Sequence, residues 1–396
     1  MVEPQQLLEV DAIADRARSL WRDACDHATT AHVELFAKVA VRSRVRRDLN
    51  RASVSFDRVF ESGLAVRTFE PRRDRAGFAA AAGLSAGVVR WAVDTACAFR
   101  AQAPVAAPCA SDGVAAERWD LDATVTLPTE ESLTVGLLTR PHLEWIEAGT
   151  TVEVLVGHEG WLAVRSRHRF WALCGRPASR LVAQRGVADW ERLLDGSSND
   201  SVTSTKSSRN LGVVVLSPDA AASVVGALVA AFHGRTGAAV DALGRGWDVA
   251  DEPVRHDGLA GGSFDDAGFP AASHPLASDG VWVGRLEGPG TFRRASFREP
   301  PTEAATNLCM PSGPGELTDD DAAFVERCRV LRPSAELWVL EIDLRGPKES
   351  SGTERRWIRI QPKSLLASCA GRLGRPTVTS SGPIVPALRW EGLVVS

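Results

Sequence analysis

Residues 261–269 read Gly261-Gly262-Ser263-Phe264-Asp265-Asp266-Ala267-Gly268-Phe269, and residues 290–298 read Gly290-Thr291-Phe292-Arg293-Arg294-Ala295-Ser296-Phe297-Arg298. Adjacent carboxylates bracketed by glycines, followed by a tight cluster of arginines, do not arise from ordinary helix or strand patterning. Neighbouring side chains on extended backbone point to opposite faces, so Asp265 and Asp266 are poorly placed to converge on one hard cation. The pair reads instead as turn capping combined with charge pairing to Arg293, Arg294 and Arg298.

Working outward, the second half of the chain is mostly short strands separated by Gly/Pro turns. These fall at residues 281–286, 338–344, 357–360 and 387–395, after a buried strand at 213–216. One helix interrupts them. Ser217-Pro218-Asp219 opens it by cap, N1 proline and first-turn acid, Gly234 ends it, and the stretch between is apolar on every side. The first half alternates helix and strand. Residues 10–24 form an amphipathic helix, 32–41 alternate with period two, and further strands fall at 63–69 and 77–80. Ser85 caps a helix running to about Arg100, and strand-like runs follow at 151–156 and 161–164. The Ser/Asn/Thr-rich segment 196–210 is the linker. The expected fold is α+β in two domains. Residues 1–195 form an α/β domain with its sheet flanked by helices; residues 211–396 form a mostly antiparallel β domain with one buried helix.

A chain of 396 residues exceeds what one core usually organises, and its 44% apolar and 24% charged content is that of a globular protein. The net charge of −4 gives no global attraction to nucleic acid or anionic membrane. The seven cysteines are scattered with no Cys-x-x-Cys, which reads as reduced thiols. The first residues lack the apolar core of a signal peptide, and no run approaches the roughly 20 apolar residues of a membrane span. A cytoplasmic location is expected. The absence of tyrosine removes any mechanism using a phenol as acid, base or oxyanion donor.

Candidate catalytic motifs fail one after another. A helical zinc site needs two histidines one turn apart, and none of the eight histidines is so placed. His158-Glu159 reads as a polar turn, and His233 as a cation in the last turn of a helix. Gly83-Leu84-Ser85-Ala86-Gly87 matches the nucleophile-elbow pattern between a strand and a helix, but a triad histidine is expected late in the chain and the last is His274. Ser85 therefore reads as an N-cap. No lysine follows a glycine, so there is no phosphate-binding loop. Arg42, Arg44 and Arg46, with Arg47 beside them, read as a solvated strand face.

Taken in order, these segments resemble the TldD/PmbA family, whose members were called modulators of DNA gyrase and are understood as zinc metallopeptidases built from two related subunits. The resemblance spans most of the chain. Residues 56–67 (Phe-Asp-Arg-Val-Phe-Glu-Ser-Gly-Leu-Ala-Val-Arg) followed by Gly77-Phe78-Ala79-Ala80 resemble the family's strand pair. Phe264-Asp265-Asp266-Ala267-Gly268 resembles its Phe-Asp-Asp-Glu-Gly turn, and Asp279-Gly280-Val281 a strand start. Gly290 to Arg298 and Asn307-Leu308 resemble its Gly-x-x-Arg-Arg and Asn-Leu segments.

In the family's catalytic subunit the helix after the proline turn carries His-Glu-x-x-x-His. Here that stretch reads Gly226-Ala227-Leu228-Val229-Ala230-Ala231, and Cys369 lacks histidine partners. The resemblance is thus to the non-catalytic, TldE/PmbA-type subunit. It implies no catalytic or metal residue on this chain, zinc on a TldD-like partner subunit, and a heterodimer acting on extended peptide, with no nucleic acid and no membrane. Phe264, Asp265, Asp266, Gly268, Arg293, Arg294 and Asn307 become structural or interface candidates. Two alternatives stay open: a stand-alone hydrolase of divergent chemistry resting on Ser85, and a homodimeric peptide-binding module.

Overall fold

The structure is a computed structural model. It describes residues 9–29, 31–48, 53–70, 75–99, 101–102, 118–119, 128–141, 143–157, 160–174, 180–184, 203–204, 209–210, 212–232, 247–255, 258, 262, 264–294, 296–314, 322–331, 337–346, 354–379, 383–391 and 394–395. His158-Glu159, His233, Gly234, Gly261, Ser263, Ala295 and most of segment 196–210 lie outside the described residues.

The chain divides into two compact units. Unit 1 comprises Met1–Asp195, Gly262–Ala271 and Gly288–Ala304; unit 2 comprises Gly196–Gly261, Ala272–Glu287 and Ala305–Ser396. The two motif-bearing segments therefore fold with unit 1, although both lie in the second half of the sequence.

Unit 1 is built on a sheet of β1 (His32–Asp48), β2 (Ser53–Glu70), β3 (Arg75–Ala82), β4 (Leu143–Val156), β5 (Leu162–Cys174) and β6 (Arg180–Gln184). The central order is β3-β2-β1-β4-β5, antiparallel throughout, with β6 on β5. The short strands Ala101–Gln102 and Arg118–Trp119 extend it at β3 and β5. Several strands run further than their apolar alternation suggests. β2 begins at Ser53 because it pairs residue by residue with the whole of β1. Helices α1 (Val10–Ala28) and α2 (Ala86–Ala98) cover one face through Leu20, Ala24, Val89 and Val93, which meet Leu35, Leu64, Val66, Val152 and Val154. A third helix, α3 (Glu130–Leu138), packs Leu133 and Leu137 against Val45, Leu143 and Ile146. It was not expected from the sequence, although Thr129 caps it by accepting the N–H of Ser132 at 3.2 Å.

The opposite face of the sheet is closed by the two late segments. Phe264 and Phe297 pack on Phe36, Ala65, Leu155 and Ala163. Each such aromatic contributes about 1.5–3 kcal/mol by leaving water. Gly63 is needed here, because a Cβ would lie 2.3 Å from the Phe297 ring.

Unit 2 holds a mixed, mostly antiparallel sheet. Its strands are β7 (Val213–Leu216), β8 (Val249–Asp251), β9 (His274–Ser278), β10 (Leu308–Cys309), β11 (Ala323–Val330), β12 (Trp338–Arg345), β13 (Glu354–Ile360), β14 (Cys369–Val378) and β15 (Ile384–Glu391), in the order β9-β8-β10-β15-β7-β11-β12-β13, with β14 on β15. Only Val281–Trp282 of the expected strand 281–286 pairs, alongside β9. After it the chain crosses so close to Pro275 that a Cβ on Gly284 would sit 1.9 Å from a carbonyl oxygen. Helix α4 (Pro218–Phe232) packs on β11 and β15, with Val224, Val225, Leu228 and Phe232 in the core beside Trp247, Trp338 and Trp390. A short helix, α5 (Pro362–Ala367), leads into β14. The α+β class, with mostly antiparallel sheets and few helices, is the one expected.

Candidate functional site

The Phe264–Gly268 turn is built around its first aspartate. Asp265 is fully buried. Its Oδ1 accepts the N–H groups of Ala267 and Phe269, both at 2.9 Å, and its Oδ2 accepts those of Gly290 at 2.9 Å and Phe292 at 3.2 Å. One carboxylate thus closes its own turn and ties it to the second segment. Burial pushes its pKa up, opposed by those N–H donors and by Arg293. Gly268 has φ +93°, and a Cβ there would fall 2.2 Å from the Trp161 ring, so the turn requires glycine twice over.

Asp266 faces the other way, onto the sheet. It accepts the Arg294 N–H at 2.6 Å, and its ion partner is Arg165 of β5, in a short hydrogen bond. Arg165 also donates to Glu153 of β4 at 2.5 Å. Burial opposes the charge of Arg165, but Asp266 and Glu153 outweigh it and hold its pKa above the usual range. Sequence reading expected the arginine cluster to supply the pairing; Arg165 was missed because nothing local distinguishes it among the arginines of β5. Arg294 contributes its backbone to Asp266 while its guanidinium lies over the rings of Phe36 (5.0 Å) and Phe78 (5.5 Å). Burial and Arg67 push Arg294 down to about 10, still charged at neutral pH. Arg293 hydrogen-bonds the carbonyls of Phe292 and Gly290, and Arg298 lies exposed over Phe297.

Glu34 of β1 is only 2% exposed and stands 3.3 Å from Arg67, its cross-strand neighbour on β2. Burial raises its pKa, and Arg67 and Arg294 oppose that rise. The result is a buried charge network that clamps the two late segments to the sheet. It contains no nucleophile paired with a base.

Asn307 lies apart from this network, in unit 2. Its N–H and that of Thr306 donate to Asp251 at 2.7 and 2.8 Å, and its side chain donates to the Glu252 carbonyl at 3.3 Å. It fixes the join between β8 and β10. Phe264, Asp265, Asp266, Gly268, Arg293 and Arg294 are thus brought together, and Asn307 is not.

The remaining chemical candidates resolve into structural roles. Ser85 sits at φ −131°, extended rather than in a strained elbow, and caps α2 by accepting the Val88 N–H at 3.4 Å. The arginine face of β1 is engaged. Arg42 pairs with Glu61 and Arg44 with Glu147, and Arg47 donates to the carbonyls of Leu137 and Leu143. Helix α4 presents no metal donor over residues 226–231, and among the described residues no three His, Cys, Asp or Glu side chains converge on a common point. Burial pushes the Cys369 thiol up to about 11, so it is protonated at neutral pH. These residues do not fit a zinc ion. No helix of the described residues is long and apolar enough to cross a membrane.

Together these two units define the fold of the proteins called modulators of DNA gyrase, as the sequence resemblance implied. At 14% identity the fold is similar to TldE from Thermococcus kodakarensis, with a TM-score of 0.73 over 96% of this chain and 100% of that one. It is similar also to proteins described as modulators of DNA gyrase from Thermotoga maritima (TM-score 0.69, 11% identity, 95% and 99% covered) and Bacteroides thetaiotaomicron (0.69, 14%, 97% and 99%). No family sequence model and no curated protein matches the chain.

Proposed function

We propose that this chain is the non-catalytic subunit of a two-chain zinc metallopeptidase of the TldD/TldE type, acting on extended or precursor peptides. The observation that carries the reading is α4. In a fold similar to TldE along its whole length, the stretch of helix that would hold His-Glu-x-x-x-His, residues 226–231, carries only glycine, alanine, leucine and valine. With no imidazole or carboxylate to bury, that helix serves as core packing. Zinc, the general base and the nucleophilic water then belong to the partner, and this chain contributes wall and sheet. Extended peptide suits such a role, because strand addition uses backbone hydrogen bonds and tolerates varied sequence.

The test is co-expression with a His-Glu-x-x-x-His relative from the same genome, followed by an assay on an unstructured peptide. Hydrolysis by the pair and by neither chain alone is the expected result. Hydrolysis by this chain alone would refute the reading, and its survival in S85A would also remove the serine alternative.

A further inference from the structure

Segments Gly262–Ala271 and Gly288–Ala304 are tied to each other more completely than to the sheet beneath them. Asp265 accepts two N–H groups from each segment. The Asp266 N–H donates to the Phe292 carbonyl at 2.8 Å, and the Arg294 N–H returns to the Asp266 carboxylate at 2.6 Å. Phe292–Arg293 pairs with Thr302–Glu303 in a small ladder of its own, apart from the large sheet. Among the described residues no backbone hydrogen bond joins either segment to β1–β5. The two segments therefore form one body, a strap seated on the sheet by side chains.

Three attachments seat it. Phe264 and Phe297 pack on Phe36, Ala65, Leu155 and Ala163. Asp266 is ion-paired to Arg165, which Glu153 holds from the other side at 2.5 Å. Arg294 lies over the rings of Phe36 and Phe78, close to Glu34 and Arg67.

The first two attachments are satisfied, and the third is not. Glu34 is 2% exposed, yet neither of its oxygens accepts a hydrogen bond, and its ion contact with Arg67 spans 3.3 Å. The charges that face it are Arg67 from β2 and Arg294 and Asp265 from the strap. Arg67 and Arg294 are also like charges set against each other. An ionised carboxylate buried without hydrogen bonds is costly, and lifting the strap returns it to water. A protonated Glu34 carries no such cost, so its proton favours the seated strap.

We infer that segments 262–271 and 288–304 are a proton-operated strap, seated while Glu34 is neutral and loosened as one body when Glu34 ionises, which bares Phe36, Ala65, Leu155 and Ala163. The sign follows from linkage. Burial lifts the seated form's Glu34 pKa above the ordinary 4.5, so the seated form keeps its proton to higher pH than the lifted form does. Lifting therefore grows as pH rises from that ordinary value and levels off above the seated-form pKa.

Hydrogen–deuterium exchange of the whole chain, read by mass spectrometry, tests this. Fragments covering 264–269 and 290–294 are compared with fragments from β4 and β5, each relative to the unstructured exchange rate at the same pH. In wild type the opening of the strap should rise at least about threefold between pH 4.5 and about pH 8, while β4 and β5 hold. That factor is what one proton gives for a shift of about half a pH unit. E34Q cannot ionise and should lose the rise; any part that Asp265 supplies is common to both chains. E34M serves the same purpose if E34Q does not fold. A variant profile that climbs as steeply as wild type would overturn Glu34 as the operating group. Strap and sheet opening in step would overturn the strap as a separate body. Constant protection of the wild-type strap across the range would overturn the device altogether.

Discussion

At the scale of single residues, Asp265 is the most consequential side chain described. Replacing it with alanine strands three buried N–H groups and the partly buried one of Phe269, each buried group costing about 1–3 kcal/mol when unpaired. D265A should therefore destabilise unit 1 by ~4 kcal/mol or more, and D265N, which keeps one acceptor, by roughly half that. Urea unfolding of the two variants checks the order; equal losses would mean the carboxylate is not shared between the segments. Glu34 makes a prediction of opposite character. Its folded pKa lies above its unfolded value, so its contribution to stability is complete below the unfolded pKa and is lost as pH rises through the folded one. The melting temperature of wild type minus that of E34Q should fall across that rise, and a flat difference would contradict the assignment. The doublet and its capping role were readable from Asp265-Asp266 between glycines. Arg165, Glu153 and Glu34 were not, because their partners lie on other strands or, for Arg165 and Asp266, 101 residues apart, and such pairings leave no local pattern.

At the scale of elements, the clearest sequence signals marked short-range chemistry. The Ser85 cap, the N1 Pro218 and the apolar run of α4 all lie where expected, since each depends on its immediate neighbours. The extent of β2 was hidden because the alternation of Val54 and Phe56 with Ser53, Ser55 and Asp57 breaks at Arg58-Val59; pairing with β1 carries the strand through. Helix α3 was missed although Thr129 and its two following glutamates mark a helix start. Because Ser85 acts only as a cap, S85A should cost about 1 kcal/mol of stability. Thermal unfolding would show this as a small shift, with no change in any hydrolysis seen for the assembled pair. Loss of hydrolysis in S85A at unchanged stability would instead revive a catalytic serine.

At the scale of the whole molecule, segments Gly262–Ala271 and Gly288–Ala304 are drawn from the second half of the sequence into unit 1, where their aromatics complete a sheet face that α1 and α2 do not cover. Linear reading assigns these segments to the nearer domain, because hydrophobic pattern shows that Phe264 and Phe297 are buried without showing against what. The same limit applies to partnership: the apolar residues 226–231 of α4 say what this stretch lacks, and that a second chain supplies the metal belongs to the proposed function. The most direct measurement is native mass spectrometry with zinc analysis of this chain, alone and co-expressed with its His-Glu-x-x-x-His relative. A 1:1 complex carrying zinc, with none on this chain by itself, is the predicted result. Stoichiometric zinc on this chain alone, or no association at all, would contradict the account.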